Sequence, residues 1–310
     1  MRQTKEMRLV YRDFLIEHSA AEEKLAVLEA DLSSSMATNQ LESDFGQRYV
    51  DVGIMEQEMI GLAAGLSLLG YKPYVHTFAP FISRRVFDQV FLSLGYAQLN
   101  ATLVGSDVGI TAEMNGGTHM PFEDLGLMRL IPEAKIFEVS DDIQFKAVLE
   151  RSLELEGLKY IRTTRKSPQA IYQGQEDFSR GYYLLKEGKD LNLLASGIMV
   201  EQALRAAECL EQEGISVGVL DLFQIKPLPH DLLQLLVGKP VITVENHNRI
   251  GGLGSSICEL LAEVDKTPVY RMGIDERFGQ VGHLDYLLKD YGLSPEHICQ
   301  KIKQVLAKNA

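Results

Sequence analysis

The sequence predicts an α/β fold built as two three-layer domains, and three observations support this prediction. The chain has 310 residues, which is enough for two domains of ordinary size. Short apolar runs rich in branched and aromatic residues alternate with segments of helical periodicity along its whole length. A polar, turn-rich stretch interrupts this pattern near the middle. We therefore expect one domain over residues 1–167, a linker over 168–185 and a second domain over 186–310.

Each expected strand is too short for an ordinary helix. The expected strands cover residues 49–54, 101–104, 160–163, 191–195, 216–220 and 240–244. Residues 55–69 and 200–213 show helical spacing instead, the first with an apolar stripe at positions 55, 59, 62, 66 and 69. Gly214 is suited to end the second helix. The first 18 residues read as an amphipathic helix and not as a secretory leader.

The composition excludes several classes of protein. A net charge of −12 argues against a nucleic-acid-binding protein, which would carry a basic surface. No apolar run reaches the roughly 18 residues of a membrane span. The three cysteines, Cys209, Cys258 and Cys299, form no Cys-x-x-Cys pair. We therefore expect a cytoplasmic protein in a reducing compartment, with no metal site of its own.

Residues 51–70 (DVGIMEQEMIGLAAGLSLLG) form the strongest local motif. A strand ends at Gly53, and a helix with Glu56 and Glu58 in its first turns follows at once. Acidic residues are favoured at any helix N-terminus by the helix dipole, and the glycines at 61 and 65 would let another helix approach. This segment alone is therefore compatible with a purely structural role.

Two further segments carry residues suited to binding. Residues 74–90 contain Phe78 and Phe81, three apart, followed by two arginines. Residues 106–132 form a long glycine-containing loop that includes GGTH at 116–119, and long loops in compact domains are usually functional. Taken singly, buried aromatic residues usually serve packing.

In this order, the three segments resemble the pyrimidine-binding domain of the transketolase family. That family carries G-[IV]-x-E-x-x-M, then T-F with a second aromatic residue nearby, then a loop that ends in G-x-T-H. Here these motifs read GIMEQEM at 53–59, TF at 77–78 with Phe81, and GGTH at 116–119, and residues 29–32 (EADL) resemble the family's A-D-L. The second half resembles the family's C-terminal domain over residues 193–228, 243–263 and 273–298. The resemblance covers nearly the whole chain.

The resemblance implies a thiamine diphosphate cofactor, whose reactive carbon the protein positions and tunes. Glu56, and not Glu58, takes the place of the glutamate that hydrogen-bonds N1′ of the aminopyrimidine. A carboxyl group buried against aromatic residues would have the raised pKa that suits proton sharing. Phe78 and Phe81 correspond to aromatic residues around the pyrimidine ring, and Asp31 corresponds to a carboxylate near the cofactor.

The resemblance also implies the substrate contacts. His119 corresponds to a catalytic histidine that contacts substrate oxygens. Arg165 resembles the arginine that grips a sugar phosphate, with Arg162 as the alternative. Asn115 stands where transketolases commonly show an aspartate, and Ser106 stands where many carry a histidine. Both positions are expected to bind substrate, and the changes suggest an unusual donor or acceptor sugar.

Half of the expected cofactor site is missing from the sequence. The family binds the diphosphate and Mg²⁺ through G-D-G and a downstream asparagine, and this chain has no G-D-G. The resemblance therefore implies an N-terminal partner subunit that supplies those ligands, in an α2β2 heterotetramer with two sites. The expected activity is transfer of a two-carbon ketol unit between sugars or sugar phosphates.

Two other functions stay open at this point. One is the β subunit of a related thiamine enzyme, either a 2-oxo acid dehydrogenase or a protein similar to deoxyxylulose-phosphate synthase. Residues 87–90 (FDQV) slightly favour those relatives, whereas the NGGTH loop argues against the dehydrogenases. The other is a non-enzymatic relic of the fold. Retention of Glu56 together with the two phenylalanines argues against a relic.

Overall fold

The computed structural model describes residues 2–309, which form two mainly parallel β-sheets with helices packed on them. The strands are β1 (Leu25–Glu29), β2 (Tyr49–Asp51), β3 (Lys72–Phe78), β4 (Ala101–Ser106), β5 (Lys135–Glu138), β6 (Leu158–Arg162), β7 (Tyr183–Lys186), β8 (Leu191–Ala195), β9 (Val217–Asp221), β10 (Gln224–Lys226), β11 (Val241–Asn248) and β12 (Val269–Ile274). The helices are α1 (Met7–Ser19), α2 (Glu42–Phe45), α3 (Glu56–Leu68), α4 (Ala79–Ile82), α5 (Phe87–Gln89), α6 (Asp124–Arg129), α7 (Asp142–Glu154), α8 (Met199–Glu211), α9 (Leu232–Leu236), α10 (Leu253–Ala262), α11 (Leu284–Asp290) and α12 (Pro295–Asn309). Within these residues, no helix is both long and apolar enough to span a membrane.

The first sheet has the strand order β10-β5-β6-β4-β3-β1-β2 and the second has β12-β11-β8-β9-β7. Only the edge strands β10 and β7 run antiparallel to their neighbours. β7 begins inside the segment expected to be a linker, and β10 lies in the second half of the chain but completes the first sheet. The proposed boundaries at 167 and 186 stay a prediction, since β10 follows both of them in sequence but belongs to the first sheet.

Alternating side chains place each sheet between two helical layers. On β1, Val27 packs with α1 and α7, whereas the next residue, Leu28, packs with α3. On β8, Leu193 packs with α8 and α12, whereas Leu194 packs with α10. The core that contains Leu28 and Leu194 joins both sheets, so the two α/β units share one apolar layer. The predicted fold class is confirmed.

Strand and helix positions agree with the periodicity, with one correction on α3. All six expected strands overlap observed ones, and residues 191–195 match β8 in full. The predicted stripe at 55, 59, 62, 66 and 69 coincides only in part with the core face of α3, because Met59 is buried whereas Met55, Leu62 and Leu69 are 53%, 36% and 71% exposed. The buried residues of α3 are Glu56, Met59, Ile60, Ala63 and Ala64.

Candidate active site

The candidate site lies at the carboxyl edge of five neighbouring parallel strands, β6-β4-β3-β1-β2. Asp31 lies two residues beyond β1, Glu56 begins the helix that follows β2, and Phe78 ends β3. Ser106 ends β4, and Arg165 lies three residues beyond β6. Because parallel strands end at one edge of a sheet, residues far apart in sequence converge there.

Glu56 is the buried member of the acidic pair on α3. Its side chain is 5% exposed, whereas Glu58 is exposed. Arg85 Nη1 donates a hydrogen bond of 2.5 Å to Glu56 Oε1, and the Arg85 guanidinium lies 3.7 Å from the centre of the Phe81 ring. Arg85 had no predicted role, although its place shortly after the TF motif was a usable signal. Arg85 therefore lies between the Phe81 ring and Glu56, and it binds one oxygen of the Glu56 carboxylate.

Three rings form one wall of the site. Phe78 ends β3 and Phe81 lies in α4, which follows at once, and their ring centres are 6.0 Å apart. The His119 ring meets both edge-on, at 5.9 Å from Phe78 and 5.2 Å from Phe81. Such edge-to-face contacts fix ring orientation as well as burying apolar surface.

His119 is held by its own loop. Thr118 Oγ1 lies 2.8 Å from His119 Nδ1, and the His119 amide donates to Gly116 O at 3.0 Å. Burial lowers the pKa of His119. The nearby charge of Asp107 acts to raise this pKa, and the charge of Arg85 acts to lower it further. The imidazole is therefore neutral at pH 7, with Nδ1 engaged and Nε2 left for a ligand. Asn115, on the same loop, is exposed.

The two candidate arginines have different environments. Arg165 is 25% exposed, its Nε lies 2.5 Å from Asp107 Oδ2, and its guanidinium lies 5.0 Å from the Phe78 ring centre. Arg162 is completely buried and bonded to Asp124 and Glu138. A substrate can reach Arg165, whereas the burial of Arg162 removes it as the alternative.

Asp107 was not singled out from the sequence, although it directly follows Ser106. It is 2% exposed and adopts a left-handed φ of 55°, which is unfavourable for a residue with a side chain. Burial raises the pKa of Asp107, and the Arg165 guanidinium opposes that shift. Its carboxylate fixes the position of Arg165 beside Phe78.

Ser106 requires a correction, since its side chain does not reach the site surface. His76 Nε2 lies 3.0 Å from Ser106 Oγ, and His76 Nδ1 lies 2.7 Å from Glu29 Oε2. Thr38 donates to the other oxygen of Glu29 at 2.5 Å, and all four side chains are fully buried. The Ser106 hydroxyl is occupied by this internal chain of hydrogen bonds, so the expected substrate contact is not supported.

Asp31 lies on the surface close to the start of α3. Its φ is 57°, and its amide donates to Asp51 Oδ1 at 2.8 Å. The Gly53 amide donates to the same oxygen at 3.0 Å. Asp51, which the sequence analysis missed, therefore joins the loop of Asp31 to the loop that leads into Glu56.

The residues present fit the pyrimidine end of thiamine diphosphate. A buried carboxylate, Glu56, stands at an aromatic wall on an open edge, which suits a flat heterocycle with ring nitrogens. The sequence offers no G-D-G motif for a diphosphate. Within residues 2–309, one group of three metal-ligating side chains comes together, and it joins α1 to α7 through Glu17, His18 and Glu150, away from this edge.

Comparison with known proteins identifies the family. Residues 3–169 match the transketolase pyrimidine-binding domain, and residues 182–298 match the transketolase C-terminal domain. The chain belongs to the transketolase family. Thiamine diphosphate is the cofactor that this family implies.

Individual relatives correspond to one section of a transketolase. The chain is 41% identical to the 6-deoxy-6-sulfo-D-fructose transketolase subunit SqwH of Clostridium sp. (strain MSTE9), over 96% of this chain and 94% of that protein. It is 36% identical to the putative transketolase C-terminal section of Methanocaldococcus jannaschii, over 98% and 97%. Human transketolase is 29% identical, and the match spans 97% of this chain but 49% of that protein.

A solved structure matches this chain over nearly the full length of both. A split-gene transketolase, described as an inactive β4 tetramer, superposes with a TM-score of 0.88 at 35% identity, over 98% of this chain and 99% of that one. The chain therefore corresponds to the C-terminal section of a split transketolase, as its sequence predicted.

Proposed function

We propose that this chain is the β subunit of a split transketolase. With a partner subunit, it transfers a two-carbon ketol unit from a ketose to an aldose. The observation that carries the proposal is the meeting of Glu56, Phe78, Phe81 and His119 at one open edge. The sequence lacks the diphosphate motif, so this edge can form only part of a complete cofactor site.

The residues of this chain have separate tasks toward the cofactor. Bound thiamine diphosphate supplies the nucleophilic carbon that carries the ketol unit. Glu56 would hold the proton that it shares with N1′ of the aminopyrimidine. Phe78 and Phe81 would pack against the pyrimidine ring and exclude water from it. Arg85 would keep one Glu56 oxygen in place, so that the other oxygen can face the ring. Asp31 would lie at the margin of the same site.

Three residues would bind the sugar. His119 Nε2 and the Asn115 amide would bond its hydroxyl and carbonyl oxygens. Arg165 would bind a tetrahedral oxyanion at the far end of the ketose, because a guanidinium offers two parallel donors. A phosphate and a sulfonate share this chemistry, and the name of the SqwH relative specifies a sulfonated fructose.

The outer face of α3 supports a partner subunit. Leu68 at the end of α3, Leu69 directly after it and Ile54 shortly before it are 74%, 71% and 71% exposed. Apart from the neighbouring residues and backbone of α3 itself, no atom of the described residues lies within 4 Å of the place where a Cβ would stand on Gly61 or Gly65. A face of small and apolar residues beside Glu56 suits close packing by a second chain. We propose that the partner chain carries the diphosphate and Mg²⁺ ligands, and that the complex is an α2β2 heterotetramer.

Reconstitution tests the proposal. The chain is assayed alone and with its candidate partner, with thiamine diphosphate and Mg²⁺, for ketol transfer to ribose 5-phosphate. Xylulose 5-phosphate and 6-deoxy-6-sulfo-D-fructose serve as alternative donors, and pyruvate serves as the contrasting substrate. Transfer by the mixture alone supports the split enzyme, and the better donor identifies the oxyanion. An assembled, cofactor-loaded mixture that consumes only pyruvate, or no substrate, overturns the proposal.

A further inference from the structure

The loop that carries Asn115 and His119 is shaped by the second half of the chain. We call residues 107–119 the substrate loop. Most of its backbone between β4 and His119 is irregular or a 3-10 turn. The internal hydrogen bonds of a 3-10 segment have poorer geometry than those of an α-helix, so the conformation of this loop depends more on contacts from outside.

Asn246 holds the beginning of this loop. It lies in β11 of the second sheet, and its side chain is completely buried. Its Nδ2 donates to Val108 O at 3.0 Å, and its Oδ1 accepts from the Ile110 amide at 2.9 Å. One carboxamide thus bonds both backbone groups that flank Gly109, as a neighbouring strand would.

Gly109 is fitted to that contact. Its φ is 49°, and a Cβ at this position would overlap Asn246 Oδ1. Glycine adopts this conformation without strain and lets the carboxamide approach the backbone closely. Gly109 and Asn246 are therefore matched in shape as well as in hydrogen bonding.

Two more contacts from the second half hold the rest of the loop. Glu113, with a left-handed φ of 47°, accepts a hydrogen bond of 3.1 Å from the Leu284 amide at the start of α11. Gly117 packs directly on the Gly279 carbonyl, where a Cβ would not fit. Contacts at 246, 284 and 279 thus fix the beginning, middle and end of the substrate loop.

We propose that Asn246 is a positioning residue for this active site: by clamping residues 108–110, it sets where Asn115 and His119 meet the sugar. Asn246 is buried and touches no substrate itself. The inference rests on the proposed function, which gives Asn115 and His119 their task. It also assigns a task to the second domain, which contributes none of the residues proposed to contact the cofactor or the sugar.

The test replaces Asn246 and compares two readouts. Asn246→Leu removes both loop contacts and keeps the branching and number of heavy atoms of the side chain. Asn192→Leu is the matched control, because Asn192 is also a buried asparagine that bonds a backbone carbonyl, on the adjacent strand β8. Asn246→Asp keeps the size of the side chain and one acceptor oxygen. It replaces the leucine variant in the test if the leucine variant does not fold.

Hydrogen exchange is measured on the full chain and needs no activity. Asn246→Leu should speed exchange of the Ile110 amide and of residues 110–119 by about tenfold or more. Asn246→Asp should give a smaller increase, and Asn192→Leu should give none in this loop. Unchanged exchange in both Asn246 variants, or an equal change in the control, overturns the clamp.

Kinetics of the assembled enzyme give the second readout. Asn246→Leu should lower kcat/KM for the ketose by about tenfold or more, through a higher KM, with thiamine diphosphate affinity unchanged. Equal kcat/KM, or a loss of cofactor affinity instead, overturns the positioning role. If the wild-type mixture shows no ketol transfer, the proposed function fails, while hydrogen exchange still decides whether Asn246 clamps the loop.

Discussion

Two groups of charged side chains lie near the carboxyl edge of the first sheet, and they are built in opposite ways. In the buried charge cluster, Arg162 bonds both Asp124 and Glu138, and all three side chains are at most 1% exposed. At the candidate site, the Glu56–Arg85 pair has an arginine that is 40% exposed. In the buried charge cluster, the charged groups are paired with one another within this chain. The second group leaves donors and acceptors open at the surface, which is where an outside ligand can bind.

The buried charge cluster joins the two sheets. Ser196, which follows β8, donates to Glu138 on β5, and Arg162 on β6 donates to the Asn246 carbonyl on β11 at 2.8 Å. Burial alone would raise the pKa of Asp124, but Arg162 and His247 hold it below its usual value. The comparison therefore separates charges that hold the fold from charges that act on ligands.

The largest expected effect comes from breaking the buried cluster. Arg162→Met should lower the free energy of unfolding by about 3–5 kcal/mol, because it leaves two buried carboxylates without a cation. Urea denaturation measures the change. Arg165→Met is the comparison and should cost clearly less, since Arg165 is partly exposed and its loss leaves one carboxylate, Asp107, without a cation instead of two. Equal losses in both variants would remove the distinction between the two groups.

At the candidate site, the charge should matter for turnover and not for folding. Glu56→Gln should lower kcat of the assembled complex by about 100-fold or more, since the amide cannot share a proton with the cofactor ring. Glu58→Gln, on the exposed side of the same helix turn, should keep near-normal kcat. Partner binding and thermal unfolding should be unchanged in both variants. Near-full turnover of Glu56→Gln would contradict the role given to Glu56.

A third prediction concerns pH and the carboxyl group next to the cluster. Burial raises the pKa of Glu245 to about 8 and lowers that of His247 to about 4. Glu245 stabilises the fold fully below its unfolded pKa of 4.5, and this contribution is lost as pH rises through 8. His247 contributes a constant amount above 6.5 and loses it as pH falls toward 4. The contribution of Glu245 should therefore fall between pH 7 and 8, by at most about 1.4 kcal/mol per pH unit. Burial lowers the pKa of Lys159 to about 7, so the contribution of Lys159 rises with pH over the same interval.

Denaturation at several pH values between 7 and 8 measures the slope of stability against pH. Glu245→Gln should make this slope more positive than in the wild type, because the amide stays neutral and the opposite contribution of Lys159 is left. His247→Gln should leave the wild-type slope in place, since His247 is already neutral there. An unchanged slope in Glu245→Gln would show that Glu245 does not titrate in this interval.

The sheets and the order of the site loops could be predicted from the sequence, because a strand buried on both faces is nearly all apolar. Residues 191–195 (LNLLA) show this, since all five are buried in β8 and four of them are apolar. Glu56 could be distinguished from Glu58 by its place in the motif, and its burial agrees with that choice.

Contacts between distant residues could not be predicted. Asn246 and Ile110 are 136 positions apart, and neither lies in a motif that points to the other. The burial of Ser106 depends on His76, which reads from the sequence as one more strand residue. On α3, periodicity detects an apolar stripe but does not distinguish a face that meets the core from one that meets another chain.

The smallest expected effect tests that face of α3 directly. Gly65→Leu adds a side chain where, apart from α3 itself, no atom of residues 2–309 lies within 4 Å of the new Cβ, and it replaces glycine inside a helix. The free energy of unfolding of the chain alone should therefore rise by about 0.5–1 kcal/mol. The same side chain should block close packing of the partner and weaken assembly, measured by analytical ultracentrifugation of the mixture. Glu208→Leu, on the exposed side of α8, should leave assembly unchanged. If the Gly65→Leu chain is more stable and assembles normally, the partner binds elsewhere. If it is more stable but no longer assembles, the exposed face of α3 serves the complex and not the fold.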